Sequence, residues 1–204
     1  NFSLTTTNDN KNVFEGNNGK FSDLAYHAVG GLLKHGTEIT AIACSTVNSY
    51  NGLVPIVGGF EGGVHTWAPT HMAYGDNNRS CMLRLPQNRF CIENRAADMC
   101  MNPYLSLALT TASVLDGIKN KINPGKPLNL NLYTLKPEEM EKADIKPLPR
   151  NLLEAIEALK EDDFAKDVLG DAMLHQFFSY KMDEWDRYHQ SVTDWEVEEY
   201  FRLY

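Results

Sequence analysis

Residues 79–95 read RSCMLRLPQNRFCIENR, and this segment indicates more about the fold than any other in the chain. Two short strand-like runs, Ser80–Leu85 and Arg89–Asn94, flank the turn sequence Pro86-Gln87-Asn88. Such runs with a short polar turn between them are typical of a β-hairpin. The segment therefore predicts two antiparallel strands that carry several charged side chains.

The hairpin concentrates positive charge around one carboxylate. Four of the chain's seven arginines lie in it or beside it, at Arg79, Arg84, Arg89 and Arg95. Alternate residues of a strand face the same side, so Glu93 and Arg95 project together, and Arg84 on the neighbouring arm can share that face. Guanidinium groups bind phosphate oxygens and a carboxylate can hold Mg²⁺ or Mn²⁺, which favours a polyanion with a divalent metal. The alternative is an exposed hairpin with an ion pair of little energetic value.

Helices are predicted on both sides of the hairpin. Ser22 can cap a helix that runs through about Cys44, and Pro103 suits the first turn of an apolar helix that ends near Ile118. Three further helical segments follow, at about 150–161, 163–190 and 193–203. The predicted fold class is thus α+β, with antiparallel hairpins and a helical C-terminal tail.

Two long segments are predicted to lack regular structure. Residues 51–76 contain six glycines, and so long a loop is usually an active-site lid or a binding loop. Within it Glu61 precedes Gly62-Gly63, and a carboxylate on a lid can accept a proton once substrate is bound. A solvated loop glutamate is the alternative. The proline-punctuated residues 123–149 are predicted to be a surface connection.

Composition excludes several classes of protein. The 204 residues are 43% apolar with a net charge of −8, which argues against a nucleic-acid partner. No apolar run approaches the roughly 20 residues that a membrane helix needs, so no membrane partner is expected. The four cysteines lack C-x-x-C spacing, which predicts reduced thiols of a cytoplasmic protein and neither a disulfide framework nor a zinc site built from cysteines.

Several ordered motifs resemble the catalytic core of the glutamine synthetase superfamily. They are Asn78–Pro86, Glu93–Asp98 and Asn102–Leu105, flanked by Val47–Tyr50, Leu115–Ile118 and Asn131–Tyr133 in the family order. The resemblance covers essentially the whole chain. It implies that residues 1–204 are the C-terminal part of that catalytic domain, and that the N-terminal β-grasp domain and the first half of the catalytic domain precede Asn1.

The resemblance implies an ATP-dependent ligase that joins an amine to the γ-carboxylate of glutamate through γ-glutamyl phosphate. Arg79 and Arg84 would hold the transferring phosphoryl group and the ATP phosphates. Glu93 would be a ligand of Mg²⁺ or Mn²⁺, and Arg95 would bind glutamate. These implied roles agree with the physics of a hairpin rich in guanidinium groups, because such groups stabilise the charge of a moving phosphate.

The resemblance also implies roles for residues outside the hairpin. Glu61 is similar in position to the flap glutamate that closes over the substrate and takes a proton from the amine. Asn1 and Ser3 lie where the family contacts the nucleotide. Tyr133 lies where some bacterial members are adenylylated, although a tyrosine alone does not make a regulatory site. The family builds its sites between subunits of stacked rings, so a homo-oligomer such as a dodecamer is expected and an isolated fragment should be inactive.

Departures from the family pattern leave the substrate open. The family commonly has Tyr-Lys-Arg-Leu where this chain has Tyr50-Asn51-Gly52-Leu53, so an arginine that helps to bind glutamate is absent. Cys91 replaces a nucleotide-binding arginine, for which Arg89 could substitute. Extra residues around 64–74 alter the loop that shapes the amine pocket. These changes fit relatives that use alkylamines, such as γ-glutamylmethylamide synthetase. The alternatives are an ordinary glutamine synthetase that uses ammonia, a catalytically silent structural member and, more remotely, a guanidino-kinase-like phosphotransferase.

Overall fold

The computed structural model describes residues 1–53 and 68–203, which form a small sheet packed among helices. Within these ranges there are eight α-helices: α1 (Asp23–Lys34), α2 (Gly36–Ala43), α3 (Pro103–Lys119), α4 (Pro137–Lys142), α5 (Leu152–Lys160), α6 (Asp163–Leu169), α7 (Asp171–His189) and α8 (Asp194–Tyr200). The predicted α+β class is confirmed. In the part of the chain described, every helix is too short or too polar to cross a membrane.

Three strands form the sheet, in the order β1 (His71–Asp76), β2 (Cys81–Leu85) and β3 (Glu93–Asn94). β2 and β3 pair antiparallel, which confirms the predicted hairpin, and Arg84 lies opposite Glu93. β1 pairs parallel with β2, so the sheet is mixed.

The prediction of one loop over residues 51–76 is wrong at its end, which forms β1. Its sequence, HMAYGD, lacks the alternation of a half-buried strand, because four of its six residues are buried. Its backbone is also stabilised from far along the chain. The Met72 amide donates to the Lys146 carbonyl at 2.8 Å, and the Tyr74 carbonyl accepts from Leu128 at 2.8 Å. Part of residues 123–149 is therefore packed against β1, and Leu132 and Leu148 are fully buried, contrary to the predicted surface connection.

The first predicted helix is divided in two. Ser22 caps α1 as predicted, since its hydroxyl accepts from the Ala25 amide at 3.2 Å. The prediction of one helix to about Cys44 is wrong, because α1 ends at Lys34 and α2 begins at Gly36. At the break the buried His35 ring lies 2.9 Å from an Asp116 carboxylate oxygen of α3. A contact with a distant helix thus accompanies the break.

Two glycines let α1 and α3 cross at close range. A Cβ atom added to Gly31 would lie 2.0 Å from the Ser113 carbonyl oxygen and 2.8 Å from the Gly117 Cα. One added to Gly117 would lie 2.2 Å from the His27 carbonyl oxygen. The mid-helix glycine of α1 is therefore required by backbone contact with α3.

The C-terminal tail is helical but differs from the prediction at one glycine. Gly170 has a φ of +79°, which separates α6 from α7 where one helix over 163–190 was predicted. This backbone conformation ends the helix because only glycine adopts it without strain. A capping box of Thr193 and Glu196 begins α8, within the helical segment predicted at about 193–203.

Candidate functional site

Arg84, Arg89 and Arg95 surround the carboxylate of Glu93, and these four residues are called here the Glu93 cluster. Arg84 Nη1 lies 2.8 Å from Glu93 Oε2, and Arg95 Nη1 lies 2.6 Å from Glu93 Oε1. Arg89 Nη2 is 3.7 Å from Oε2. The structure therefore brings together three of the predicted site residues, and Arg89 with them.

The sheet holds this cluster on a rigid support. In β2 every residue except Arg84 is buried, so the strand is fixed by the core while this one side chain reaches the site. Cross-strand register places Arg84 opposite Glu93, and Arg95 follows two residues later on the same face. Residues on a well-packed strand keep the geometry that a binding site needs.

Asn77 holds the Arg84 guanidinium from the other side. Its Oδ1 accepts from Arg84 Nε at 3.1 Å and also from Nη2. Asn77 lies in the turn between β1 and β2 with a φ of +56°, which asparagine tolerates better than most residues. Asn77 was not among the predicted site residues, although the paired asparagines before Arg79 are a recognisable turn signal.

The arginines of the Glu93 cluster keep Glu93 ionised, and their positive charge exceeds its negative charge. Burial raises the pKa of Glu93, but hydrogen bonds and charges from Arg95 and Arg84 outweigh that effect, so its pKa lies below the ordinary value. One carboxylate thus faces three guanidinium groups. Because arginine stays protonated, the surplus positive charge suits an anion with several oxygens, such as a phosphate.

The lowered pKa of Glu93 predicts how acid affects stability. A carboxylate whose pKa is lower in the folded state stabilises the fold above its ordinary value of 4.5 and loses that effect as the pH falls through the folded-state pKa. We expect the thermal midpoint of the wild type to exceed that of Glu93→Gln by a constant amount between about pH 5 and 8. The difference should shrink below pH 4.5. A difference that persists undiminished to pH 3 would contradict this assignment.

The other predicted site residues lie at different distances from the cluster. Arg79 is exposed; its carbonyl accepts from Arg95 Nε at 3.0 Å, and its guanidinium forms no ion pair with a residue of 1–53 or 68–203. Asn1 Oδ1 lies 3.3 Å from Arg89 Nη2. Ser3 is exposed near the same edge, because backbone bonds pair Phe2 with Ile92. Glu61 lies outside the described residues. The chemical roles of all these residues stay predictions.

Tyr133 is partly buried and its hydroxyl is engaged. It donates a hydrogen bond to the Ala68 carbonyl, and burial raises the pKa of the phenol. Adenylylation at this hydroxyl stays a prediction, and it would have to displace that bond.

The Glu93 cluster fits a metal ion that arrives with a phosphate. Both Glu93 oxygens already accept from arginines, and three guanidinium groups would repel a lone cation. Mg²⁺ in proteins commonly uses one or two carboxylates together with substrate phosphates and water. The donor set here, one ionised carboxylate beside guanidinium groups, matches that pattern.

The chain belongs to the glutamine synthetase family: residues 1–200 match the family model for the glutamine synthetase catalytic domain. It is 42% identical over 198 residues to a glutamate–methylamine ligase of Methyloversatilis universalis, covering 95% of this chain and 43% of that protein. It is 40% identical over 200 residues to a glutamine synthetase of Methanosarcina mazei, covering 96% of this chain and 43% of that protein. The chain thus spans less than half the length of these relatives.

Solved structures give the same picture. A structure described as a GmaS/ADP complex superposes with a TM-score of 0.81 at 35% identity, covering 96% of this chain and 44% of that one. A structure described as apo GmaS without ligand gives 0.77 at 34% identity, with 96% and 42% coverage. The arrangement of helices and sheet is therefore that of part of a glutamine synthetase-type fold.

Proposed function

We propose that the protein is a carbon–nitrogen ligase that joins an amine to the γ-carboxylate of glutamate, with ATP converted to ADP and phosphate. The observation that carries this proposal is the Glu93 cluster, in which three guanidinium groups share one ionised carboxylate on a rigid strand. Family membership and relatives named as ligases support the reaction class.

The arginines would act on the phosphoryl group during its transfer. In phosphoryl transfer, charge spreads over the equatorial oxygens, and prepositioned cations stabilise it. Arg84 is fixed by Glu93 and Asn77, so it can meet that charge without reorganising. We assign Arg79, Arg84 and Arg89 to phosphate oxygens. Arg89 lies near both Asn1 and Glu93. It would take the role of the nucleotide-binding arginine whose position is occupied by Cys91 in this chain.

Arg95 and Glu93 complete the proposed site. Arg95 would bind a carboxylate of glutamate, and its ion pair with Glu93 holds the guanidinium in place. Glu93 would be one ligand of Mg²⁺ or Mn²⁺, which when bound neutralises phosphate charge. Glu61 would take the proton from the attacking amine, and Asn1 and Ser3 would contact the nucleotide. We also propose that residues 1–204 are the C-terminal part of the catalytic domain, within a ring-shaped homo-oligomer.

We infer that the preferred amine is methylamine-like, with ammonia as the alternative. Gly52 stands where the family commonly has an arginine. One similar protein is named glutamate–methylamine ligase, and two similar solved structures are described as GmaS. Relatives named glutamine synthetase are nearly as similar, at up to 40% identity. Amine choice therefore has to be decided by rates.

Steady-state phosphate release from the whole protein tests both the ligase reaction and the preference for methylamine. With glutamate and ATP present, release should depend on added amine, and kcat/KM should be higher for methylamine than for ammonia at equal free-base concentration. A higher value for ammonia would overturn the amine preference only. No release with either amine, from protein whose thermal midpoint and ADP binding are intact, would overturn the ligase proposal. Residues 1–204 alone should be inactive.

Asn77 supplies a matched test of how Arg84 is positioned. Asn77→Gly removes the amide but keeps the left-handed backbone without strain. We expect kcat/KM to fall about 10-fold, since a misplacement of about 1 Å can cost up to about 10²-fold. Asn77→Asp keeps an acceptor for Arg84 and should restore most of the activity, which a purely structural role of the turn would not predict. Full activity of Asn77→Gly would contradict the positioning role.

A further inference from the structure

A second group of polar side chains converges where α2 begins. His35 lies at the break between α1 and α2, Glu38 lies in the first turn of α2, and Asp162 immediately precedes α6. Their potential ligand atoms all lie within 4.8 Å of one another. We propose that these three side chains, called here the His35 site, bind Zn²⁺.

The His35 ring is already held as a metal-binding histidine is held. Its Nε2 lies 2.9 Å from Asp116 Oδ2, and the ring stacks on Phe164 with 3.7 Å between centroids. His35 is only 5% exposed. Histidine ligands usually donate their other ring N–H to a carboxylate, which fixes the ring and raises the basicity of the ligating nitrogen. With Nε2 bound to Asp116, Nδ1 is the nitrogen left for a metal.

Among the residues that the structure describes, neither carboxylate of the His35 site has a basic side chain as an ion-pair partner. Within residues 1–53 and 68–203, the Glu38 side chain forms no ion pair or hydrogen bond with another residue. Burial raises the pKa of Glu38, and the charge of Asp162 adds to that rise. Asp162 Oδ1 accepts from the Ala165 amide at 2.6 Å as the cap of α6, which leaves its second oxygen for a ligand. A divalent cation between the two carboxylates would relieve their repulsion.

The ligand types favour zinc over magnesium. An imidazole nitrogen suits Zn²⁺, whereas Mg²⁺ prefers oxygen ligands alone. Three protein ligands plus one water complete a tetrahedral zinc site, and bonds of about 2.0–2.2 Å place ligand atoms roughly 3.3 Å apart. From separations of up to 4.8 Å, the side chains would close by up to about 1.5 Å to reach that spacing. The ion would tie the α1–α2 break to the start of α6 and so stabilise the fold.

Zinc content and thermal stability test this site independently of catalysis. The reference is the whole protein carrying Cys100→Ser, which removes an exposed thiol that could bind zinc, with Mg²⁺ in excess. After dialysis against buffered Zn²⁺, the reference should hold one zinc per chain more than Glu38→Gln or Asp162→Asn. Asn caps a helix as well as Asp, so the second variant keeps α6 intact. Asp116→Asn should weaken zinc affinity about 10–100-fold.

Glu161→Gln is the matched control, because Glu161 is an exposed carboxylate next to Asp162 that lies outside the site. It should match the reference in zinc content and in the rise of thermal midpoint with zinc. Co²⁺ in place of zinc should give the visible spectrum of a tetrahedral nitrogen–oxygen site, which Glu38→Gln loses. Equal zinc content and equal midpoint gain in the reference, Glu38→Gln and Asp162→Asn would overturn the proposal.

Discussion

Glu93→Gln should lower kcat/KM of the ligase reaction by about 10²–10³-fold, the loss typical of removing one group that stabilises transition-state charge. Glutamine has the same shape but no negative charge. The substitution therefore removes the charge of a proposed metal ligand. In the same step it replaces one of the two oxygens that accept from Arg84 and Arg95, at 2.8 and 2.6 Å, with an NH₂ group that can only donate. Loss of both contributions is why this substitution is expected to have the largest effect on activity.

Two comparisons separate the contributions of Glu93. Glu93→Asp keeps the charge but shortens the side chain, so a higher Mg²⁺ concentration should partly restore its activity. Glu93→Gln should need far more Mg²⁺ for the same activity or should not respond to it. Glu157→Gln is the control, since Glu157 is exposed on α5 and its loss should leave the rate unchanged. Activity of Glu93→Gln within a factor of two or three of the wild type would exclude a central role for the carboxylate.

Local sequence was sufficient to predict the geometry of this cluster. The turn at Pro86-Gln87-Asn88 predicts the hairpin, and the two-residue period of a strand places Glu93 and Arg95 on one face. Only the cross-strand partner needed the observed register, in which Arg84 lies opposite Glu93. The contacts that carry the site join residues close in sequence, which is why pattern and periodicity could predict them.

The features that sequence missed depend on distant contacts or on a single backbone angle. β1 is stabilised by backbone bonds to Leu128 and Lys146, more than 50 residues away, and its buried residues hide the strand period. The break at His35 coincides with a bond to Asp116, 81 residues further on. Gly170 ends α6 through a positive φ that composition alone does not reveal. The first two features depend on tertiary contacts, and the third depends on a local backbone angle that a glycine can adopt or avoid.

The largest effect on stability is expected where α1 crosses α3. Gly31→Ala adds a Cβ 2.0 Å from the Ser113 carbonyl oxygen, and neither backbone can yield without moving a helix. Overpacking of this kind costs about 3 kcal/mol, against which the better helix propensity of alanine returns about 1 kcal/mol at most. The net loss of about 2 kcal/mol corresponds to a fall of about 4–8 °C in the thermal midpoint for a domain of this length.

Gly36→Ala is the matched control for Gly31→Ala. It also adds a methyl group to a buried helical glycine, but the nearest atom is the Met72 sulfur at 2.8 Å, at the end of a flexible side chain. Methionine adapts to such changes, so the thermal midpoint should move by only a few degrees. If Gly31→Ala and Gly36→Ala shifted the midpoint equally, the contact between the α1 and α3 backbones would not be what requires glycine at position 31. A large fall in the thermal midpoint of both Gly31→Ala and Gly117→Ala, without one in Gly36→Ala, would locate that requirement at the crossing. The reason is that Gly31 and Gly117 face each other there.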